Sequence, residues 1–351
     1  MSNQQTLAAS EALPKKKVDV IPLLLAPILA LAAYPVVGDM PTWATLTIAG
    51  IGMGLILFLV ASGFTLVFGL MDVLNFGHGI FVTLGAYFGV SMLTGGVIGA
   101  VFGDQAPLSA LYAAEDLGLN LAALAIAAGV GMFVTAVIGL IFERIIIRPV
   151  YGSHLTQILV TSGGMIVAEQ LIVALWGPET QPLLKPASLN GAVLFGDIAI
   201  EKYRLMTTVV GLAVFAIMIL LLNRTKLGLL IRAGVQDREM VEALGYKVKF
   251  LFVGVFAAGA ALAALGGLFW GMYNDAAVST LGGSMMVLIF IVTIIGGMGS
   301  VGGAFLGAIL IGLLANYTGF SFPIMAAFSN IILMCLIILW RPNGLYPVAK
   351  R

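Results

Sequence analysis

Three polar side chains lie close together in the stretch Asp72 to Phe81, "DVLNFGHGIF", between two long apolar runs. Asp72, Asn75 and His78 offer a carboxylate, an amide and an imidazole at intervals of three residues. If this stretch is helical, the three side chains lie near one face of the helix. The imidazole titrates near neutral pH, so His78 could respond to pH.

A metal site and a catalytic centre are not expected. The second histidine, His154, follows in a separate predicted loop beside Arg148, and no cluster of ligating residues surrounds either histidine. The single cysteine, Cys335, excludes a disulfide framework and a Cys-based metal site. It lies in an apolar run, so we expect a small buried side chain. We find no Ser/His/Asp, HExxH or paired-carboxylate arrangement and no P-loop, and predict no cofactor.

The composition indicates the class of protein. Of 351 residues, 61% are hydrophobic and 9% are charged, against about 25% charged in a soluble domain. Such a chain has too few polar groups to cover a surface in water, so the lipid bilayer is its expected surroundings. The net charge of +1 indicates no nucleic-acid partner.

The hydropathy predicts an all-α integral membrane protein, a bundle of about ten helices, because a span needs about 20 apolar residues. "GGMGSVGG" at 296–303 divides the long apolar block 285–317 into two short halves. The chain therefore makes ten crossings, or eight with a re-entrant pair. We expect one membrane domain over 20–341, between tails 1–19 and 342–351. The other predicted spans cover about 20–38, 44–68, 79–101, 119–141, 157–176, 205–222, 251–272 and 323–340.

The N-terminal run and the charges fix the predicted orientation. The first apolar run could imitate a signal peptide, but its three prolines and the poor cleavage site "AAYPVV" favour a retained span. With the N-terminus inside, all but Lys185, Lys202 and Arg204 of the 17 lysines and arginines fall on the inner side. The positive-inside rule therefore predicts that both termini are cytoplasmic.

Two interpretations of "LNFGHGIF" stay open. In the first, Asn75 caps a helix that starts at Phe76, and His78 lies in its first turn. In the second, a span that starts near Trp43 is complete by about residue 65, so the polar stretch dips back into the membrane. Irregular backbone at that depth must be buried in protein or line a wet cavity. This second interpretation places the stretch in a translocation pathway or at its inner gate.

Other polar candidates lie inside the predicted span 157–176. Thr161 and Glu169 are eight residues apart, so they could share a helix face. An ionisable group at membrane depth normally faces a cavity or a partner, which makes Glu169 the strongest candidate of the three. Thr161 and Ser162 more often bond to their own backbone or to a neighbouring helix. Gly259, Ala263 and Gly267, and also Gly303 and Gly307, recur every four residues, which favours close intramolecular helix packing.

The longest predicted cytoplasmic loop, 223–250, contains a helix-like segment from Arg232 to Leu244 with a C-cap at Gly245. Ala233, Val241 and Leu244 could form its apolar side. The segment is either a linker or a docking helix for a cytosolic partner.

Four motifs in this order resemble the branched-chain amino acid ABC transporter permease family. They are "GFTLVFGLMDVLNFGHGIFVTLGAY", "RAGVQDREMVEALGY", "TIIGGMGSVGGAFLGAILIG" and "RPNGLYP", within residues 45–346. The resemblance implies an importer subunit, not an enzyme, in the bacterial inner membrane. It implies as partners two cytosolic ABC ATPase subunits, a second homologous permease and a periplasmic solute-binding protein. ATPase coupling is assigned by the resemblance to the loop residues Arg232, Asp237, Glu239, Glu242, Ala243 and Gly245.

The resemblance also implies leucine, isoleucine and valine as substrates, moved by alternating access. Urea, short amides and small organic acids are handled by similar proteins and stay open as alternatives. An ion-coupled secondary transporter, with Glu169 and Asp72 as coupling sites, is the alternative of another class. Two features depart from the family: the outer loop 102–118 is longer than expected, and Glu169 replaces an expected neutral residue.

Overall fold

The computed structural model describes residues 20–95, 107–236 and 238–347, and most of them are helical. The predicted tail 1–19, part of the loop 102–118 and the end of the predicted C-terminal tail lie outside these ranges. The helices are α1 (Ile21–Val37), α2 (Met40–Met71), α3 (His78–Leu93), α4 (Ser109–Ala113), α5 (Leu117–Phe142), α6 (His154–Trp176), α7 (Lys202–Arg224), α8 (Lys226–Gln236), α9 (Arg238–Ala243), α10 (Val248–Tyr273), α11 (Leu281–Gly296), α12 (Val301–Ser321) and α13 (Pro323–Trp340).

The predicted all-α membrane architecture is confirmed. Six helices of the described residues are long and apolar enough to cross a membrane, and four shorter apolar helices accompany them. Each predicted span overlaps one helix, although residues 96–101 of the predicted span 79–101 lie outside the described residues. The long apolar block 285–317 is divided between α11 and α12 by the turn at 297–300. The number of crossings and the cytoplasmic side of the termini stay predictions.

Helix α2 forms the centre of the bundle. It packs against α7, α10, α11 and α12, and half of its residues are buried. Its 32 residues correspond to about 48 Å at 1.5 Å per residue, more than the roughly 30 Å of a hydrocarbon core. Asp39 caps its first turn by accepting hydrogen bonds from the backbone and hydroxyl of Thr42, which lower the pKa of the Asp39 carboxyl.

Glycines allow the central helices to touch through their backbones. A Cβ atom at Gly63 would collide with the carbonyl oxygen of Gly259, and one at Gly267 would collide with that of Val82. Gly303 and Gly307 likewise face the backbone of α11. The prediction that these glycines serve intramolecular packing is therefore confirmed for α10 and α12.

Helices α6, α7 and α13 lie at the periphery and expose long apolar side chains, as lipid-facing helices do. The expectation that Cys335 is buried is wrong: its side chain is exposed on α13. An apolar run predicts a membrane helix but does not distinguish its lipid-facing side from its packed side, because both sides are apolar.

Short strands and ion pairs close the predicted outer end of the bundle. Strand β1 (Gln181–Pro182) pairs with β4 (Ala276–Ala277), and β2 (Ala192–Phe195) forms an antiparallel hairpin with β3 (Ile198–Glu201). Lys185 Nζ lies 3.1 Å from Asp275 Oδ1, and Arg204 Nε lies 2.8 Å from Glu201 Oε2. Two of the three cations predicted on this side are thus neutralised by carboxylates.

Candidate translocation and coupling sites

The polar motif forms an irregular connection between α2 and α3. Helix α2 ends at Met71, Asp72 adopts the left-handed conformation with φ 55°, and α3 begins only at His78. The His78 ring packs edge-on against Phe64, with 5.7 Å between the ring centroids. Phe64 lies seven residues before the end of α2, a rise of about 10 Å. The connection therefore runs back alongside α2 before α3 starts.

Helix α6 holds this connection by two side chains one turn apart. The backbone N–H of Leu74 donates to Gln157 Oε1 at 3.1 Å, and that of Phe76 donates to Thr161 Oγ1 at 3.0 Å. Residues four apart on a helix are about 6 Å apart along its axis, and residues two apart in an extended chain are separated by a similar distance. The spacing of the two acceptors on α6 therefore matches the two donors.

Thr161 thus binds a neighbouring segment, as a threonine within a span usually does. Its hydroxyl also donates to the carbonyl of Gln157 in its own helix, at 2.6 Å. Gln157 was not among the predicted site residues, although its position four residues before Thr161 was an available signal. Ser162, the next residue, is half-buried.

Asn75 and His78 are buried in the connection. Both side chains are fully buried, and none of their side-chain nitrogen and oxygen atoms has a hydrogen-bond partner of normal geometry among the described residues. His78 packs between Phe64 and Phe81, whose ring centroids are 5.7 and 5.8 Å from its own. A buried polar group without a partner costs about 1 to 3 kcal/mol, so this pair is a feature that folding alone does not favour.

Asp72 lies apart from the other two polar residues. Its side chain is about half exposed, and Oδ2 lies 3.9 Å from His154 Nε2 at the start of α6. The two predicted loops thus meet, although no group of three metal-ligating side chains forms in the described parts of the chain.

Two expectations for this motif are wrong. Asp72, Asn75 and His78 do not share a helix face, because the backbone leaves the helix at Asp72. Asn75 is not the cap of a helix that starts at Phe76, since α3 starts two residues later and the cap position is Gly77. The irregular backbone of the second interpretation is present, and Val73, Asn75 and Gly77 within it are buried in protein, which is the setting that such backbone requires.

Glu169 projects from the middle of α6 and is half-buried. A Cβ atom at Gly283 would lie 3.6 Å from Glu169 Oε1, so the carboxyl faces the first turn of α11. The start of a helix carries a partial positive charge that favours a nearby carboxylate. This contact offers a structural reason for an acidic residue at this position.

Two further motifs meet at the same end of the bundle as Asp72. The backbone N–H groups of Leu345 and Tyr346, in "RPNGLYP", donate to the carbonyls of Ile295 and Gly296 at 2.9 and 3.0 Å. These carbonyls belong to the last turn of α11, where the carbonyl oxygens have no hydrogen-bond donor within their own helix. The closing motif therefore fastens the Gly-rich turn.

The loop 223–250 is helical over Lys226–Gln236 (α8) and Arg238–Ala243 (α9), which cover most of the helical segment expected from Arg232 to Leu244. Asp237 lies outside the described residues. Gly245 has φ 88°, and its N–H donates to the carbonyl of Glu242 at 3.0 Å, so the predicted C-cap is confirmed.

The surface of α9 and the residues after it differs from the expected amphipathic pattern. Val241 is buried, but Leu244 is 70% exposed, so it does not belong to the inward apolar side. Met240 and Tyr246 are also exposed, and Glu239 and Ala243 lie on the same exposed surface. Arg232 donates to the Asn223 side chain, at 3.1 Å, which ties α8 to the end of α7.

Comparison with known proteins agrees with these observations. Residues 46–340 match the family model described as "Branched-chain amino acid transport system / permease component". The chain is 29% identical over 306 residues to the high-affinity branched-chain amino acid transport system permease protein BraD of Pseudomonas aeruginosa, covering 84% of this chain and 93% of that protein. It is 28% identical over 309 residues to the permease protein LivH of Escherichia coli K12, covering 84% and 94%.

A more distant relative comes from an archaeon. The probable branched-chain amino acid transport permease protein LivH of Methanocaldococcus jannaschii is 24% identical over 311 residues, covering 83% of this chain and 88% of that protein. No solved structure matches the chain. Because the family model spans most of the membrane bundle, the chain belongs to the family of branched-chain amino acid permease components and is a transport subunit, not an enzyme.

Proposed function

We propose that this chain forms part of the pathway by which leucine, isoleucine and valine enter a bacterial cell across the cytoplasmic membrane. The observation that carries the proposal is the family match over residues 46–340. Permeases of this family belong to ABC importers, which work with ATPase and solute-binding subunits. ATP hydrolysis on separate subunits then supplies the energy, and the pathway opens alternately to each side.

The exposed surface of α9 is the proposed contact for the ATPase subunits. Leu244, Met240 and Tyr246 are large apolar side chains that face solvent beside the carboxylate of Glu239. Exposed apolar side chains on a short helix, with polar neighbours, are what a partner's groove buries in a helix-in-groove complex. Together with Arg232, Asp237, Glu242, Ala243 and Gly245, this surface would transmit ATPase movement to α7 and α10, which the loop connects.

We assign the inner gate to the connection between α2 and α3. Asn75 and His78 are buried, and their side-chain nitrogen and oxygen atoms have no hydrogen-bond partner of normal geometry among the described residues. Helix α6 holds the backbone beside them. A movement of α6 would release the two N–H groups at Leu74 and Phe76 and free the connection. Polar groups that are costly in the closed arrangement could then line the open path.

Replacing Asn75 by leucine tests this gate. Leucine branches at Cγ as asparagine does but has no polar atoms, so Asn75→Leu should raise the thermal stability of the permease while lowering transport. His78→Phe keeps the aromatic packing around Phe64 and Phe81 and should behave in the same way. If either variant gains stability and keeps full transport, the polar group is not part of the gate.

The complete function is tested by uptake of radiolabelled leucine into vesicles that contain this chain, its ATPase subunits, its partner permease and the solute-binding protein. Uptake should require ATP and persist when a protonophore removes the proton gradient. Uptake that needs no ATP and collapses with the protonophore would instead identify an ion-coupled carrier. Isoleucine and valine should compete with leucine, whereas urea and short amides should not.

Glu169 is proposed to line the path together with Asp72, Thr161 and Ser162. Glu169→Gln should lower leucine uptake in the same vesicles, with Glu179→Gln as a control because Glu179 is exposed in the loop after α6. If both variants take up leucine equally well, Glu169 does not line the path, and its role is the structural contact with the first turn of α11.

A further inference from the structure

A cavity of about 360 Å³ opens at the predicted cytoplasmic end of the bundle. It lies between the end of α2, the turns that follow α5 and the beginning of α10. Its volume falls within the range of about 300 to 1,000 Å³ of small-molecule sites. The lining residues are Met71, Glu143, Arg148, Tyr151, Lys249, Phe252 and Val253.

One wall of the cavity carries a buried carboxylate. Glu143 is 4% exposed, and the hydroxyl of Tyr151 donates to its Oε1 atom at 2.8 Å. Glu143 begins a π-helical turn, Glu143–Ile147, that directly follows α5. Such turns insert an extra residue and are frequent at functional sites.

The cavity lining also carries two cations, Arg148 and Lys249. Neither forms an ion pair with Glu143 or another carboxylate in the described ranges of the chain. A buried carboxylate is costly unless a positive group compensates it. Here charges of both signs line one cavity without neutralising each other, which leaves room for a ligand that carries both opposite charges.

The rest of the lining is apolar. Met71 comes from the last turn of α2, and Phe252 and Val253 come from the second turn of α10. An aliphatic side chain placed against these residues would be removed from water, which is favourable by about 25 cal/mol per Å². Three kinds of surface therefore converge: one acidic, one basic and one apolar.

We propose that this cavity binds a zwitterionic amino acid with an aliphatic side chain. The α-ammonium group lies against Glu143, the α-carboxylate against Lys249 and Arg148, and the side chain against Phe252, Val253 and Met71. The inference rests on the proposed function, because the pathway would deliver such amino acids to this end. The cavity is then a site for the transported amino acid on its release side, next to the connection that begins at Asp72.

Equilibrium binding of radiolabelled leucine to the full-length permease in lipid nanodiscs, without solute-binding protein or nucleotide, tests the proposal. Two analogues test the recognition of each charged group separately, because leucinamide lacks the carboxylate and 4-methylpentanoate lacks the amine. Lys249→Gln should weaken leucine by about tenfold or more and leave leucinamide unchanged. Glu143→Gln should weaken leucine and leucinamide and leave 4-methylpentanoate unchanged. Lys247→Gln, two residues from Lys249 and outside the cavity lining, should change none of them.

Val253→Trp provides a test that removes no buried polar group. The larger ring would fill the cavity from its half-exposed rim and should abolish leucine binding while the protein keeps its size-exclusion profile. Leucine binding that survives Val253→Trp, or that does not respond to both Glu143→Gln and Lys249→Gln, overturns the proposal. Phosphoethanolamine that displaces leucine better than isoleucine does would identify a lipid-headgroup site and overturn it as well.

Uptake by the assembled transporter distinguishes failure of this binding site from failure of the proposed transport function. If leucine enters the vesicles but does not bind the permease alone, this cavity is not an amino-acid site and the proposed function stands. If leucine neither binds nor enters, the proposed function fails together with the site.

Discussion

The contact between α6 and the connection after α2 makes a quantitative prediction. Thr161→Val keeps the shape of the side chain but removes the acceptor of the Phe76 N–H. The Thr161 side chain is fully buried, so water does not replace the lost acceptor. A buried donor left unsatisfied costs about 1 to 3 kcal/mol. The connection should therefore open more often in this variant.

Hydrogen exchange measures this opening directly. The exchange rate of a protected amide rises with the population of its open state, and 1.4 kcal/mol corresponds to a factor of ten. A loss of about 1 to 3 kcal/mol therefore predicts exchange about 5- to 150-fold faster in peptides that cover residues 72–77. Gln157→Leu should have a similar effect at the Leu74 N–H.

Thr207→Val is the matched control. Thr207 is fully buried in α7, and its hydroxyl donates to the carbonyl of Arg204 in its own helix, at 3.1 Å, with no bond to another segment among the described residues. This variant should leave exchange at 72–77 unchanged. Exchange in Thr161→Val that equals the control, or that rises equally in every helix, would refute the idea that α6 holds the connection locally.

Three further predictions concern packing, coupling and the lipid-facing surface. Gly267→Ala should destabilise the permease by about 1 to 3 kcal/mol in thermal unfolding, because the added Cβ would meet the backbone of α3. Gly129→Ala, with open space beside it, should instead stabilise the permease by about 0.5 to 1 kcal/mol. Equal effects of the two substitutions would contradict the close packing at Gly267. Leu244→Ser should weaken co-purification of the ATPase subunits without changing the melting temperature, and Leu155→Ser, an exposed leucine outside the loop, should retain them. Cys335→Leu should change stability by less than about 0.5 kcal/mol, since the side chain is exposed; a larger loss would indicate a packed position.

The sequence was a sufficient guide to the membrane helices. The predicted span 157–176 corresponds to α6 (His154–Trp176), and the division at "GGMGSVGG" corresponds to the turn between α11 and α12. Hydropathy predicts such elements well because a helix must satisfy its backbone within one continuous apolar segment. The C-cap at Gly245 was predictable for a similar reason, since only local backbone geometry decides it.

The backbone path of the polar motif could not be predicted from its local sequence. The spacing of Asp72, Asn75 and His78 suggested one helix face, but the positive φ of Asp72 ends the helix and sends the chain back along α2. That outcome depends on acceptors supplied from 83 and 85 residues away, by Gln157 and Thr161. A contact of this kind leaves no pattern in the segment that it fixes.

The candidate sites also combine properties that the sequence determines with properties that only tertiary packing determines. Composition, charge distribution and the four motifs determined the membrane class, the predicted orientation and the family, because each is a property of the chain read in order. The exposed position of Leu244, the burial of Asn75 and His78, and the cavity that brings Glu143 and Lys249 together were decided only by tertiary packing. Burial and opposition of charge are relations between segments far apart in the chain, and they exist only once the helices are packed.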